Sequence, residues 1–203
     1  MMLVRSHPYV TTILIMAFFV VLGQVGMGGA TNLSVLLIIF LSELGLFLIL
    51  IHVSLGGSSE ARKRLGWIKP KLSDLPQLLL LVASTLLLVN LFTDSNTKLN
   101  LSGVADTTLF ILCLLLASIT EEVFFRSWML STLMASGVPR VLVVAISVIA
   151  FGLIHLWQGF HGVVVAAFVG LVYALFFLYR RSLFILIGAH AIHNIVVFLY
   201  HIP

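Results

Sequence analysis

The chain has 203 residues, of which 61% are hydrophobic and only 9% are charged. Charged residues make up about a quarter of an average globular chain, so this composition excludes an ordinary soluble domain and predicts a protein whose solvent is the lipid bilayer. The formal net charge is +4. We do not expect nucleic-acid binding, because no basic patch is interleaved with aromatic residues.

Seven apolar runs are long enough to be membrane-spanning helices. About 20 apolar residues cross the hydrocarbon core, roughly 30 Å thick, as a helix whose backbone polar groups are paired internally. The predicted fold class is therefore all-α, a polytopic transmembrane helix bundle of about seven spans that forms a single domain over residues 1–203. The predicted spans are Tyr9–Met27, Ser34–Leu55, Leu75–Phe92, Thr108–Ala135, Val141–Trp157, Val163–Tyr179 and Leu183–Tyr200.

Basic residues between the runs predict the orientation in a cell membrane. With a cytoplasmic N-terminus, nine basic residues fall on inner segments and only Lys98 falls on an outer loop, while Arg126 lies within a helix. This positive-inside bias places the N-terminus in the cytoplasm and, with seven spans, the C-terminus outside. The inner residues are Arg5, Arg62, Lys63, Arg64, Lys69, Lys71, Arg140, Arg180 and Arg181.

Two segments outside the candidate site have alternative interpretations. The first run is followed by Gly28, Gly29 and Ala30 and also fits a cleaved signal peptide, although we favour a retained helix. The basic Gly56–Asp74 loop is interpreted as a topology anchor at anionic lipid headgroups, with a docking surface for an acidic partner as the alternative. The short chain without a targeting extension indicates a prokaryotic multi-pass protein.

Ionisable side chains inside the spans are concentrated in the last four. Such groups are costly in a membrane and usually face a bundle interior or a wet cavity. At about 1.5 Å per residue, Glu121 and His155 each lie roughly 21 Å from the inner end of their helices. We therefore expect one chamber to hold both, and His190 and Asn194 with them. The concentrated residues are Glu121, Glu122, Arg126, His155, His190, His193 and Asn194.

The spacing within the helices separates the two adjacent glutamates. Glu122 and Arg126 are four residues apart on one face, with the acid first, which favours an ion pair. Glu121 points about 100° away, so it is free to face the chamber as a candidate base. His190 and Asn194 also share a face and can aim two hydrogen-bond donors at a developing oxyanion.

Three short motifs carry a family resemblance. EEVFFR at 121–126, FGLIH at 151–155 and HAIHN at 190–194 resemble the EExxxR, FxxxH and HxxxN motifs of the CAAX prenyl endopeptidase and bacteriocin-processing (CPBP) family of glutamate intramembrane proteases. Each motif lies in a separate span, and the order is the same. The similarity covers about 106–200, which we expect to be the catalytic core.

The resemblance implies a role for each matched residue. Glu121 would act as general base on a water molecule that His155 also holds. His190 and Asn194 would polarise the scissile carbonyl and stabilise the oxyanion, while Glu122 and Arg126 would form a supporting pair. These roles need no metal and no cofactor. His193 lies outside the motif pattern, and we interpret it as a histidine of helix packing.

Other function classes stay open at this point. The same fold could serve a non-proteolytic binding or bacteriocin-immunity protein in the membrane. A zinc-dependent intramembrane protease could draw ligands from Glu121, His155 and His190, but the HExxH spacing is absent. A proton-coupled transporter would show discontinuous helices in two related halves, and none is visible. The predicted partners are the lipid bilayer and a peptide or protein substrate within it, whose identity the sequence does not give.

Overall fold

The computed structural model describes residues 8–26, 33–55, 58–92 and 103–201, and all regular structure within these ranges is helical. Two 3₁₀ turns, at 72–74 and 156–158, and a π-helical stretch at 123–130 accompany the α-helices. The α-helices, numbered in chain order, are α1 Pro8–Gly26, α2 Leu33–Leu55, α3 Ser59–Arg64, α4 Leu75–Phe92, α5 Val104–Glu122, α6 Ser131–Ala135, α7 Arg140–Leu153, α8 Gly159–Arg180 and α9 Leu183–His201.

The predicted transmembrane helix bundle is confirmed. Five helical stretches have the length and apolar composition needed to cross a membrane. Two shorter apolar stretches, Thr12–Val21 in α1 and Arg140–Leu153, bring the apolar helices among the described residues to seven. The five long stretches are Leu33–His52, Leu72–Leu91, Val104–Ala135, Leu156–Arg180 and Leu183–Tyr200.

The helices pack around the stretch that follows α5. α2 lies along α5, α7 lies along α8, and α9 contacts both α4 and α5. The eight residues of Val123–Leu130 are all buried, and the six apolar ones belong to the hydrophobic core cluster. Many outward-facing leucines and isoleucines on α1, α2 and α4 are exposed, as expected for helices whose outer surface meets lipid rather than water.

The fourth predicted span is not a uniform α-helix. The α-helix ends at Glu122, residues Val123–Leu130 form a π-helix, and α6 completes the span to Ala135. π-helical turns are uncommon and frequently occur at functional sites. The Ser127 hydroxyl, within the π-helix, donates to the Leu65 carbonyl oxygen at 2.7 Å. The helix changes from α to π directly after the two adjacent glutamates. From there the 100° step per residue used in the sequence analysis no longer applies.

The fifth predicted span, Val141–Trp157, is too long. α7 begins at Arg140 and ends at Leu153, so His155 lies in the turn after the helix and not within it. The 3₁₀ turn Leu156–Gln158 follows, and Gly159, whose φ is +74°, allows α8 to begin at once. Hydrophobicity alone did not reveal this end, because Leu156 and Trp157 extend the apolar run.

The basic loop between α2 and α4 is docked against the bundle. Ser58 caps α3 by accepting a hydrogen bond from the Ala61 backbone, and the carbonyl of Gly66 accepts one from the Leu183 backbone at the start of α9. Arg180 pairs with Asp74 at 3.3 Å. The loop thus covers the ends of α5–α6, α8 and α9 on one side of the bundle, while Lys63, Lys69 and Lys71 stay exposed. Arg5, Gly28, Gly29, Ala30, Gly56 and Lys98, which the sequence analysis used, lie outside the described residues.

Candidate active site

Glu122 and Arg126 form the buried ion pair that their spacing predicts. Arg126 Nη1 donates to Glu122 Oε1 at 3.0 Å, and neither side chain has measurable exposure. Arg126 Nη2 also donates to the Gly170 carbonyl oxygen of α8 at 3.3 Å. The pair therefore joins the start of the π-helix to α8, a structural role for which charge-assisted hydrogen bonds are well suited.

Aromatic rings enclose the guanidinium group of Arg126. Its Cζ lies 4.2 Å from the ring centroid of Phe151 and 5.4 Å from that of Tyr173. A guanidinium over an aromatic face is stabilised by cation–π attraction, more strongly when water is excluded. Gly170 makes this packing possible, since a Cβ atom there would lie 3.0 Å from Phe151 Cδ1.

His190 lies between the two adjacent glutamates. Its Nδ1 is 2.9 Å from Glu122 Oε1, and its Nε2 is 3.9 Å from Glu121 Oε2. The first distance is a hydrogen bond, whereas the second is too long for one. The carboxylate of Glu122 can only accept, so Nδ1 donates and Nε2 is the ring nitrogen left for another group. His190 is 4% exposed, which keeps it from the bulk solvent.

Asn194 lies one helical turn further along α9 than His190. Its Nδ2 donates to Ser118 Oγ at 3.0 Å, and Ser118 in turn donates to the Leu114 carbonyl oxygen at 2.7 Å. Ser118 lies one turn before Glu122 on α5. Because α5 and α9 are antiparallel, Asn194 meets Ser118 while His190 meets Glu122. One N–H of the Asn194 amide is used in this way, and the second is available to a ligand.

Glu121 has the environment of a reactive group rather than of a paired one. Only 12% of its side chain is exposed, and its Oε2 is buried without a hydrogen-bond partner. Glu43, Glu122 and Arg126 all lie near enough for their charges to act on it. A buried carboxyl oxygen left unpaired is expensive, and such groups are typical of functional sites.

His155 joins the cluster through Phe151. Its Nδ1 donates to the Phe151 carbonyl oxygen at 2.8 Å, which leaves the lone pair of the neutral ring on Nε2. The His155 ring centroid lies 4.9 Å from that of Phe151, and the latter lies 6.0 Å from that of His190. The structure therefore places Glu121, Glu122, Arg126 and His190 in one cluster, and His155 contacts the Phe151 ring that also lies beside Arg126 and His190.

One family model matches this part of the chain. Residues 103–196 match the model described as type II CAAX prenyl endopeptidase, Rce1-like. The chain carries an Rce1-like domain. The matched segment contains all three motifs, and because the family is one of proteases, the match supports a hydrolase. No curated protein and no solved structure matches the chain.

His193, the histidine outside the motif pattern, contacts α4 and not the cluster of Glu121, Glu122, Arg126 and His190. Its Nδ1 lies 2.9 Å from Thr85 Oγ1, and the Thr85 hydroxyl contacts the carbonyl oxygens of Leu81 and Val82. This buried contact ties α9 to α4, in agreement with the packing role predicted for His193. Among the described residues, no three histidine, cysteine, aspartate or glutamate side chains are arranged to hold one metal ion.

The sequence analysis missed or undervalued three residues of the site. Phe151 belongs to a motif, but it was expected only to pack, whereas it lies between Arg126, His155 and His190. Gly170 and Tyr173 of α8 were not singled out. Their spacing of three residues places them on one face of α8, which is the signal that could have identified them.

Proposed function

We propose that the protein is an intramembrane endopeptidase that cleaves peptides or protein tails at the membrane with water activated by Glu121. The observation that carries the proposal is the contrast within the adjacent glutamates. Each glutamate has a buried Oε2 without a hydrogen-bond partner, but Glu122 is held through Oε1 by Arg126 and His190, whereas Glu121 Oε2 lies 3.9 Å from His190 Nε2. A general base must be free in this way to accept a proton.

The proposed reaction gives Glu121, His155, His190 and Asn194 one role each. Glu121 accepts a proton from a water molecule that the Nε2 lone pair of His155 also holds, and the water oxygen bonds to the scissile carbonyl carbon. The oxyanion that forms accepts hydrogen bonds from the second N–H of Asn194 and from His190 Nε2, whose ring must carry a proton on both nitrogens because Nδ1 donates to Glu122. The C–N bond then breaks, and the proton on Glu121 passes to the leaving amine.

Supporting contacts fit these roles. Glu122 accepts from His190 Nδ1 and so fixes the ring with Nε2 directed toward the side of Glu121. Ser118 holds the Asn194 amide in the same way. Oxyanion donors work best when they are oriented before the reaction, because no reorganisation is then needed in the transition state. In the proposed orientation the N-terminus and the docked basic loop face the cytoplasm of a prokaryotic cell and the C-terminus faces outward.

Quantitative mass spectrometry of membrane peptides tests this function. Cells that express the wild-type chain should contain peptides or shortened protein tails that are absent from cells expressing Glu121→Gln at the same level. Synthetic versions of those peptides should be cleaved by the purified wild-type protein in liposomes, with activity that survives chelation. Identical peptide sets in the two cell lines would contradict the proposal, and loss of activity on chelation that zinc restores would favour a zinc protease instead.

A further inference from the structure

Ser118 lies outside the three motifs, yet it contacts a residue of the proposed oxyanion site. It is on α5, one turn before Glu122, and it is fully buried. The Asn194 amide of α9 donates from Nδ2 to Ser118 Oγ at 3.0 Å. Side-chain hydrogen bonds of this kind tie membrane spans together. This one also bears on the reaction, because Asn194 is a proposed donor to the oxyanion.

The Ser118 hydroxyl can only accept from Asn194. A serine hydroxyl has a single proton, and Ser118 donates it to the Leu114 carbonyl oxygen at 2.7 Å. If the Asn194 amide were turned by 180°, its Oδ1 would meet Ser118 Oγ, and two acceptors would face each other without a proton between them. A buried polar contact of that kind is costly. Ser118 therefore selects the amide orientation in which the nitrogen, with both of its N–H groups, lies toward α5.

The selected orientation places the amide nitrogen on the side of α5 that carries the adjacent glutamates. Around the helix axis, Ser118 lies between Glu121 and Glu122, about 60° from the first and about 40° from the second. The nitrogen that holds the unused N–H of Asn194 is therefore on the same side as the candidate base. In the turned amide a carbonyl oxygen would lie there, and it would repel an oxyanion instead of stabilising it.

His190 is held in the same manner one turn away. The Glu122 carboxylate can only accept, so its contact of 2.9 Å with His190 requires that Nδ1 donates. Four-residue steps on α5 and α9 thus join two acceptors to two donors, and each acceptor determines which atom of its partner lies toward α5. Ser118 differs from Glu122 in carrying no charge, so its substitution leaves no buried ion without a partner.

We propose that Ser118 is a positioning residue for Asn194, and that it fixes the side-chain amide with one N–H available to the oxyanion. Ser118 does not touch the substrate and acts through Asn194 alone. This inference rests on the proposed function for the role of Asn194, but the orientation of the amide can be observed without any peptide cleavage.

Nuclear magnetic resonance of the full-length protein in lipid nanodiscs tests the orientation. The protein is prepared with isotope-labelled asparagine, and the Asn194 side-chain signals are identified by their loss in Asn194→Ala. One of the two Asn194 amide protons should be shifted downfield by its hydrogen bond, and Ser118→Ala should move it upfield. The control Ser84→Ala, which removes a hydroxyl bonded within α4, should leave it in place. Asn194 signals that are the same in Ser118→Ala and in the wild type would overturn the inference.

Peptide cleavage shows whether the orientation matters for the reaction. Ser118→Ala should lower kcat by about tenfold, which is less than the roughly 10²–10³-fold loss expected when an oxyanion donor is removed, as in Asn194→Ala. KM and the unfolding temperature should stay at their wild-type values, because the freed amide still donates for part of the time and alanine is well tolerated in a helix. In the Asn194→Ala background, Ser118→Ala should have no further effect on kcat.

The outcomes separate this inference from the proposed function. An Asn194 signal that responds to Ser118→Ala, in a chain whose wild type cleaves no peptide, would contradict the proposed function alone. Glu121-dependent cleavage with a wild-type kcat in Ser118→Ala would overturn this inference alone. Effects of Ser118→Ala and Asn194→Ala that multiply, together with a lower unfolding temperature for Ser118→Ala, would also overturn it, since Ser118 would then serve only in helix packing.

Discussion

The two sides of α5 next to the adjacent glutamates differ in how their charges are compensated. On the side of α8 and α9, Glu122 has a counter-ion at 3.0 Å, a histidine at 2.9 Å and a shell of aromatic rings around Arg126. On the side of α2, Glu121 Oε2 is buried without a hydrogen-bond partner, and the charge of Glu43 is near enough to act on Glu121. Neighbouring positions in one helix thus separate a group that holds the structure from a group that is free to react.

Removal of either member of the ion pair should produce the largest loss of stability. Glu122→Gln leaves Arg126 buried without its counter-ion, and Arg126→Gln does the same to Glu122. Breaking a buried pair typically costs about 3–5 kcal/mol, so we expect a lower free energy of unfolding and a lower yield for both variants. Thermal unfolding in nanodiscs measures the effect.

The double variant sharpens this prediction. Because the two residues share one interaction, the destabilisation of Glu122→Gln/Arg126→Gln should be smaller than the sum of the single effects. Strict additivity, or single variants as stable as the wild type, would mean that the pair does not hold α8 to the π-helix.

A substitution at Gly170 should have an intermediate effect. In Gly170→Ala the new Cβ would lie 3.0 Å from Phe151 Cδ1, and that ring is held by Arg126 from another side. Overpacking of this kind costs about 1–3 kcal/mol. Gly45→Ala on α2 is the matched control, because nothing lies within 4 Å of its Cβ position. Equal unfolding temperatures for the two variants would show that the Phe151 ring is not confined.

Loss of the contact between α4 and α9 should have the smallest effect. Thr85→Val removes the oxygen that meets His193 Nδ1 at 2.9 Å. Side-chain hydrogen bonds within membrane proteins contribute about 0.6 kcal/mol on average and up to about 1.7, so a loss in this range is expected without a change in kcat. Ser84→Ala, which removes a hydroxyl bonded only within α4, is the control. A large drop in kcat for Thr85→Val would place His193 in the reaction instead.

The sequence predicted the contacts that depend on regular helical steps. The four-residue spacings of Glu122 with Arg126 and of His190 with Asn194 each predict two side chains on one face; Glu122 pairs with Arg126 even though Arg126 lies in the π-helix, and His190 and Asn194 both contact side chains of α5. Such steps can be read without knowledge of the neighbouring helices. The number of apolar helices was predictable for the same reason, because hydrophobic length is a local property.

The contacts that the sequence did not reveal depend on packing between distant segments. The π-helix after Glu122 carries no composition signal, and the Ser127 hydroxyl meets a carbonyl more than sixty positions earlier. The closeness of Phe151 to Gly170 follows from the approach of α7 to α8. The sequence offers no partner for Glu43, because only the packing of α2 along α5 brings it near Glu121.

The division of roles between the adjacent glutamates is tested most directly by peptide cleavage and thermal unfolding of Glu121→Gln and Glu122→Gln, measured on the same preparations in liposomes. We predict that Glu121→Gln unfolds at the wild-type temperature and cleaves no peptide, because the amide keeps the shape of the side chain and loses the base. Glu122→Gln should unfold at a lower temperature. A fully active Glu121→Gln beside a stable but inactive Glu122→Gln would contradict the account and exchange the roles of the two residues.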